Sequence, residues 1–191
     1  MEFFDKEAVI ETERLILRRL REEDALAIYH NINHDKEVLK YYLDRYIEKE
    51  EDASVSGTIR FCDETKRYVF AIVLKETDEV IGMINQCSGM NKFFHNIEIG
   101  YAIGQKYWHN GYVTEATKAF IDFLFKRGVH KVFCGAIPEN TRSIRVMKNC
   151  GMIYEGRKID EVYYRDRYWD IDQYYLLNPY VSRETSSESA D

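Results

Sequence analysis

Along the chain, short runs in which apolar and polar positions alternate give way to stretches with apolar residues three and four apart, and then return. That switch between a period of two and a period of about 3.6 predicts strands interleaved with helices. Residues 14–20 read as a first strand with Leu15 and Leu17 on one face. Glu22, Glu23 and Asp24 then open a helical stretch carrying Ala25, Ile28 and Tyr29, and acids there suit the positive end of a helix dipole. A more polar helical stretch is predicted over residues 48–61. Residues 68–74, rich in β-branched and aromatic side chains, read as a strand, followed by a turn at 77–79 and a further strand over 80–84.

Over residues 97–103, Ile97, Ile99, Tyr101 and Ile103 alternate with Glu98, Gly100 and Ala102, the pattern of another strand. A helix follows over 113–127, with Ala116, Phe120, Phe123 and Leu124 as its buried stripe and Gly128 as its stop. Residues 132–137 form a short buried strand. Asn140 caps a helix that runs to Asn149 or Cys150 and ends at Gly151, with apolar Met152 beyond. Residues 153–177 read as two strands around a turn at 164–167. No repeat is present, and two prolines leave little room for a linker. Residues 1–181 are therefore expected to form one domain, and the polar, serine-rich residues 182–191 a disordered tail.

Composition narrows the class without changing this layout. The 191 residues, 45% hydrophobic and 31% charged, are ordinary for a soluble globular domain. No apolar run approaches the roughly 20 residues of a membrane span, and the first residues lack the basic-then-apolar layout of a signal peptide. A net charge of −6 argues against nucleic acid or an anionic membrane as partner. The expectation is a cytoplasmic protein. Cys62, Cys87, Cys134 and Cys150 show no C-x-x-C spacing, and His109 and His130 are not arranged with them as zinc ligands, so reduced, mostly buried thiols and no metal are expected.

The most informative segment joins the strand bearing Glu98 to the helix after Gly111. A helix start leaves backbone N–H groups without partners and carries partial positive charge, and a glycine lets an anion approach them closely. The segment is a candidate phosphate cradle. It reads equally as an ordinary strand–loop–helix connection that needs one flexible residue.

Four segments in order carry a resemblance to a known family: Glu-Thr-Glu-Arg-Leu-Ile-Leu-Arg (11–18), Glu-Ile-Gly-Tyr (98–101), Trp-His-Asn-Gly-Tyr-Val-Thr-Glu-Ala (108–116) and Asn-Thr-Arg-Ser-Ile-Arg-Val-Met-Lys-Asn-Cys-Gly-Met (140–152). Over roughly residues 10–178 the chain resembles the GNAT superfamily of N-acetyltransferases, and most closely its ribosomal-protein-alanine acetyltransferase branch. The resemblance implies the GNAT fold. That is an α/β (α+β) architecture whose mixed, mostly antiparallel twisted sheet has about six to seven strands, splayed between the fourth and fifth and flanked by about four helices. It also implies transfer of acetyl from acetyl-CoA, as co-substrate, to a primary amine by direct attack. Dimers are common in the family, so a homodimer is an assembly the resemblance allows.

The resemblance assigns the CoA diphosphate to the backbone N–H groups of His109, Asn110, Gly111, Tyr112, Val113 and Thr114. Trp108 replaces the family's usual Gln or Arg, and Val113 its second small residue, so the claim rests on backbone amides and Gly111; Trp108 itself reads as a core anchor. Backbone groups of Tyr101 and Ile103 would hold the thioester and pantetheine arm, and Asn140 would reach the pantetheine amide while also capping its helix. Glu98 could accept the amine proton, or be a solvated glutamate beside the strand edge. The family's commonest general acid is a tyrosine at the position of Met147, so that route is closed here. Ser143 could hydrogen-bond the CoA sulfur, or simply satisfy a first-turn N–H.

The acceptor site would come from the second helical region and the final hairpin, where Tyr163, Tyr164, Tyr168, Trp169 and Tyr174 concentrate, although such aromatics also serve as packing. The acidic balance favours a cationic acceptor: a peptide N-terminus, a polyamine or an aminoglycoside. A GNAT-fold module that binds acyl-CoA without turning it over is the alternative to an active enzyme.

Overall fold

The computed structural model describes residues 3–89 and 95–181. Its centre is an eight-stranded sheet in the order β1-β2-β3-β4-β5-β6-β8-β7. The strands are β1 (Val9–Glu11), β2 (Leu15–Arg19), β3 (Val69–Leu74), β4 (Val80–Gln86), β5 (Asn96–Ile103), β6 (Lys131–Ala136), β7 (Ile153–Tyr164) and β8 (Arg167–Leu177). Only β5 and β6 run parallel. The helices are α1 (Ala25–Ile28), α2 (Ser56–Glu64), α3 (Tyr112–Lys126) and α4 (Thr141–Asn149).

Period-two alternation explains how the sheet is covered on both sides. In β3, Phe70 and Ile72 face a core shared with Leu15, Leu17, Ile97, Ile99 and the α3 stripe of Ala116, Phe120 and Leu124. The intervening Val69, Ala71 and Val73 face a second core containing Leu20, Ile28, Ile32, Val38 and Leu39. A strand buried on both faces reads as an unbroken apolar run, as this one does. Gly82 matters where β4 passes β5: a Cβ there would lie 2.2 Å from the Ala102 carbonyl oxygen, so only glycine permits that approach.

The splay falls where expected. β5 and β6 pair only at Asn96↔Lys131, Ile97↔Val132 and Glu98↔Phe133. Beyond that, β5 continues along β4 to Ile103 and β6 along β8 to Ala136. The two strands part, and a gap opens in the middle of the sheet.

Three elements differ from the sequence reading. The three-residue β1 is an added strand, pairing Val9, Ile10 and Glu11 with Arg18, Leu17 and Ile16. The polar helix begins later than residue 48, because Glu50–Asp52 close a single 3-10 turn and extended Ala53 (φ −64°, ψ 123°) breaks the chain before α2. The first helix is also short: α1 gives way to a π-helical turn over Tyr29–Asn33. The tail of residues 182–191 lies outside the described residues. No helix among the described residues is long and apolar enough to cross a membrane.

Candidate active site

The gap between β5 and β6 opens into a cleft of about 420 Å³. Glu98, Tyr101, Ile103, Val113, Asn140 and Ser143, all singled out from sequence, line it. His109, Asn110, Gly111, Tyr112 and Thr114 do not; the first four form the loop and helix start between two residues that do, Trp108 and Val113, and Thr114 follows directly after.

The loop has a specific conformation. His109 (φ 66°) and Gly111 (φ 79°) are both left-handed, which costs glycine nothing and histidine more. The Asn110 side-chain amide holds the bend by donating to the Tyr107 and Trp108 carbonyls at 3.2 and 3.1 Å. No backbone N–H from His109 to Thr114 has a hydrogen-bond partner among the described residues. These donors lie at the positive end of a fifteen-residue helix, an arrangement that favours negative charge.

Trp108 anchors the loop, packing against both cores. Its indole Nε1 donates to the Ile103 carbonyl at 3.1 Å, so an oxygen that the resemblance assigned to the pantetheine arm already has a donor. The Arg142 guanidinium stacks 4.0 Å from the indole ring centre and brings a cation to the cleft wall.

Tyr101 points toward α4 with the first core, whereas Glu98 shares the opposite face of β5 with Gly100 and Ala102. The Tyr101 hydroxyl is 3.0 Å from Ser143 Oγ and donates to the Ser143 carbonyl at 3.3 Å. Sequence reasoning used only the backbone of Tyr101 and missed this side chain. Burial pushes its phenol well above the ordinary range, so it stays protonated. Asn140 Oδ1 accepts from the Ser143 N–H at 3.2 Å, fixing the start of α4.

Glu98 is held by backbone bonds on both sides: its N–H donates to Ser88 Oγ at 2.7 Å and its carbonyl accepts from the Cys87 N–H at 2.8 Å. Burial raises its carboxyl above the usual range, Lys158 opposes that rise, and Glu161 adds to it. Cys62 and Cys134 are buried and Cys150 is half-buried, but Cys87 is exposed and lines the cleft, contrary to the expectation for most thiols. Although the residue as a whole is exposed, desolvation of the thiol by the surrounding cleft comes first and Glu98 second in raising Cys87, which disfavours the nucleophilic thiolate. No cluster of metal-ligating side chains occurs among the described residues.

The sequence reading looks to the second helical region and the final hairpin; a different segment lines the cleft alongside the hairpin. Glu37, Val38, Tyr41, Tyr42 and Leu43 line the cleft, and no α2 residue does. The hairpin contributes Ile171 and ties this segment down: Tyr164 Oη donates to the Asp44 carbonyl at 2.9 Å and Arg165 to that of Leu39 at 3.3 Å. Of the aromatics, Tyr174 is core, Trp169 donates to the Tyr164 carbonyl, and Tyr163 and Tyr168 pack on each other at the surface.

Comparison with known proteins gives this geometry its context. Residues 14–153 match the acetyltransferase (GNAT) domain family. The chain is 32% identical over 171 residues to the uncharacterized N-acetyltransferase YnaD of Bacillus subtilis, spanning 88% of this chain and 95% of that one. It is 25% identical over 153 residues to the [ribosomal protein uS5]-alanine N-acetyltransferase of Escherichia coli, spanning 76% and 78%. The crystal structure of spermidine N-acetyltransferase from Vibrio cholerae, in complex with CoA and spermine, superimposes with a TM-score of 0.73 at 20% identity over 87% of this chain and 97% of that one. The chain belongs to the GNAT acetyltransferase family, as an acetyl-CoA-dependent acetyltransferase.

Proposed function

We propose that the protein transfers acetyl from acetyl-CoA to a cationic primary amine by direct attack in a ternary complex. The observation that carries this reading is the placement of Glu98 and of the Tyr101–Ser143 pair on opposite faces of the same splayed strand. The thioester would lie in the gap between them. The diphosphate takes the free N–H groups of His109 to Thr114, and Asn140 and the backbone of Tyr101 and Ile103 border the pantetheine arm. The amine enters from the side of residues 37–43.

The chemistry then follows. Glu98 accepts a proton from the ammonium, directly or through a water, and the freed lone pair attacks the thioester carbonyl carbon. The C–N bond forms, the nitrogen gives up its second proton as the tetrahedral adduct collapses, the C–S bond breaks, and the CoA thiolate, leaving beside the hydrogen-bonding Ser143 Oγ, takes that proton. Glu37 and Glu98 give the acceptor side two carboxylates, which favours an amine that arrives charged. A polyamine and a basic peptide N-terminus both fit. Relatives named for spermidine and for a ribosomal-protein alanine support that class.

Calorimetry with CoA, followed by thiol release from acetyl-CoA on a panel of spermidine, an alanine-terminated peptide and an aminoglycoside, tests the reading. Acetylation of at least one amine is expected. CoA binding without release on any of them would leave only a binding module. Ser143→Ala is expected to lower kcat by about tenfold, the value of one hydrogen bond to a developing thiolate, with CoA affinity held within a factor of about two. Unchanged kcat would reduce Ser143 to a helix-start residue.

A further inference from the structure

The segment Thr12–Leu15 lies far in sequence from the diphosphate loop and has no role in the chemistry above, yet it grips that loop closely. Arg14 Nη1 donates to the Asn110 carbonyl at 3.0 Å. Arg14 Nε and Nη2 both reach Glu115 Oε2 at 2.7 Å. The Arg14 backbone N–H and the Thr12 hydroxyl donate to Glu115 Oε1 at 2.9 and 2.6 Å. The guanidinium lies 4.6 Å from the Tyr112 ring centre, and its Nη2 is 3.5 Å from where a Cβ on Gly111 would stand.

Two consequences follow. In a trans peptide the carbonyl and the next N–H point opposite ways, so fixing the Asn110 carbonyl fixes the direction of the Gly111 N–H. Glu115 sits in the first turn of α3, where a carboxylate favours the bare helix but repels a bound anion. Paired with Arg14, its charge is offset where it would oppose a diphosphate.

We infer that Arg14 is a positioning residue for the diphosphate cradle, holding the Asn110–Gly111 peptide in its anion-binding orientation and offsetting the charge of Glu115. This rests on the proposal that the diphosphate occupies the His109–Thr114 amides. The fork of the guanidinium is essential to it, because one side chain must span a carbonyl and a carboxylate together.

The test compares CoA with S-acetylpantetheine, which lacks the diphosphate, using calorimetry for the first and ligand-observed NMR for the second. Arg14→Gln is expected to weaken CoA by about tenfold, the scale of one charge-assisted hydrogen bond, and to leave S-acetylpantetheine unchanged. Arg14→Lys, which keeps the charge without the fork, is expected to weaken CoA nearly as much. Retained CoA affinity in Arg14→Gln overturns the inference, as does equal loss for both ligands, which marks general damage. Full rescue by Arg14→Lys overturns it in favour of simple charge attraction. If the wild-type protein binds CoA no tighter than S-acetylpantetheine, the cradle itself is wrong, and that result is obtained before Arg14 is changed.

Discussion

Glu98→Gln is expected to lower kcat by at least about a hundredfold, the lower range for loss of a positioned general base, while CoA binds as before. Glutamine preserves the size of the side chain and removes only its ability to take a proton. The pH profile separates this from structural damage. The Glu98 carboxyl is raised by burial, so it stays protonated to a higher pH than a free glutamate at about 4.3. Activity therefore falls as pH drops through that raised value and is restored above it. The wild-type kcat/KM profile should show an acid limb displaced upward from the ordinary carboxylate range, and Glu98→Gln should abolish that limb. A variant with full activity and an unchanged limb would remove Glu98 from the mechanism.

Phe120→Ala should have the largest effect on stability. Phe120 is fully buried and meets Phe70 edge-on at 5.6 Å, with Phe123 stacked at 6.2 Å. Truncating such a ring costs about 3–5 kcal/mol, against roughly 5–15 kcal/mol for a whole domain. At about 2–4 °C per kcal/mol for a chain of this length, the melting temperature should fall by roughly 6–20 °C. Phe123→Ala, at a half-buried position, should cost clearly less. Equal losses from the two would contradict the view that Phe120 is the ring that seats α3 on the sheet, and with it the loop at the start of that helix.

What could be read from sequence follows from how local each signal is. Ala116, Phe120 and Leu124 of the α3 stripe, the Asn140 cap and the strand over β3 are written in neighbouring residues, and all appear in the structure. β1 could not be read, because three residues carry no usable period and the strand exists only through its pairing with β2. The 37–43 wall was missed for a related reason: its chain is neither helix nor strand, so no periodicity marks it as facing a cleft. Tyr101 was named, but which side of the splay its ring would enter depends on α4, more than 40 residues away. The Arg14–Glu115 pair lies 101 residues apart in sequence. Both residues sit within segments that carried the family resemblance, but nothing local joins them.

The parting of β5 from β6 gives the sheet an internal edge. An ordinary edge strand faces outward, where any extended chain can add to it. This one is walled by α4 on one side and by residues 37–43 on the other. Under the proposed function, this opening takes the thin, extended pantetheine arm, whose amides can pair with the exposed strand edge. On that proposal, selection for the shape of the cofactor arm follows from how two strands diverge, and residues 37–43 can change without disturbing it.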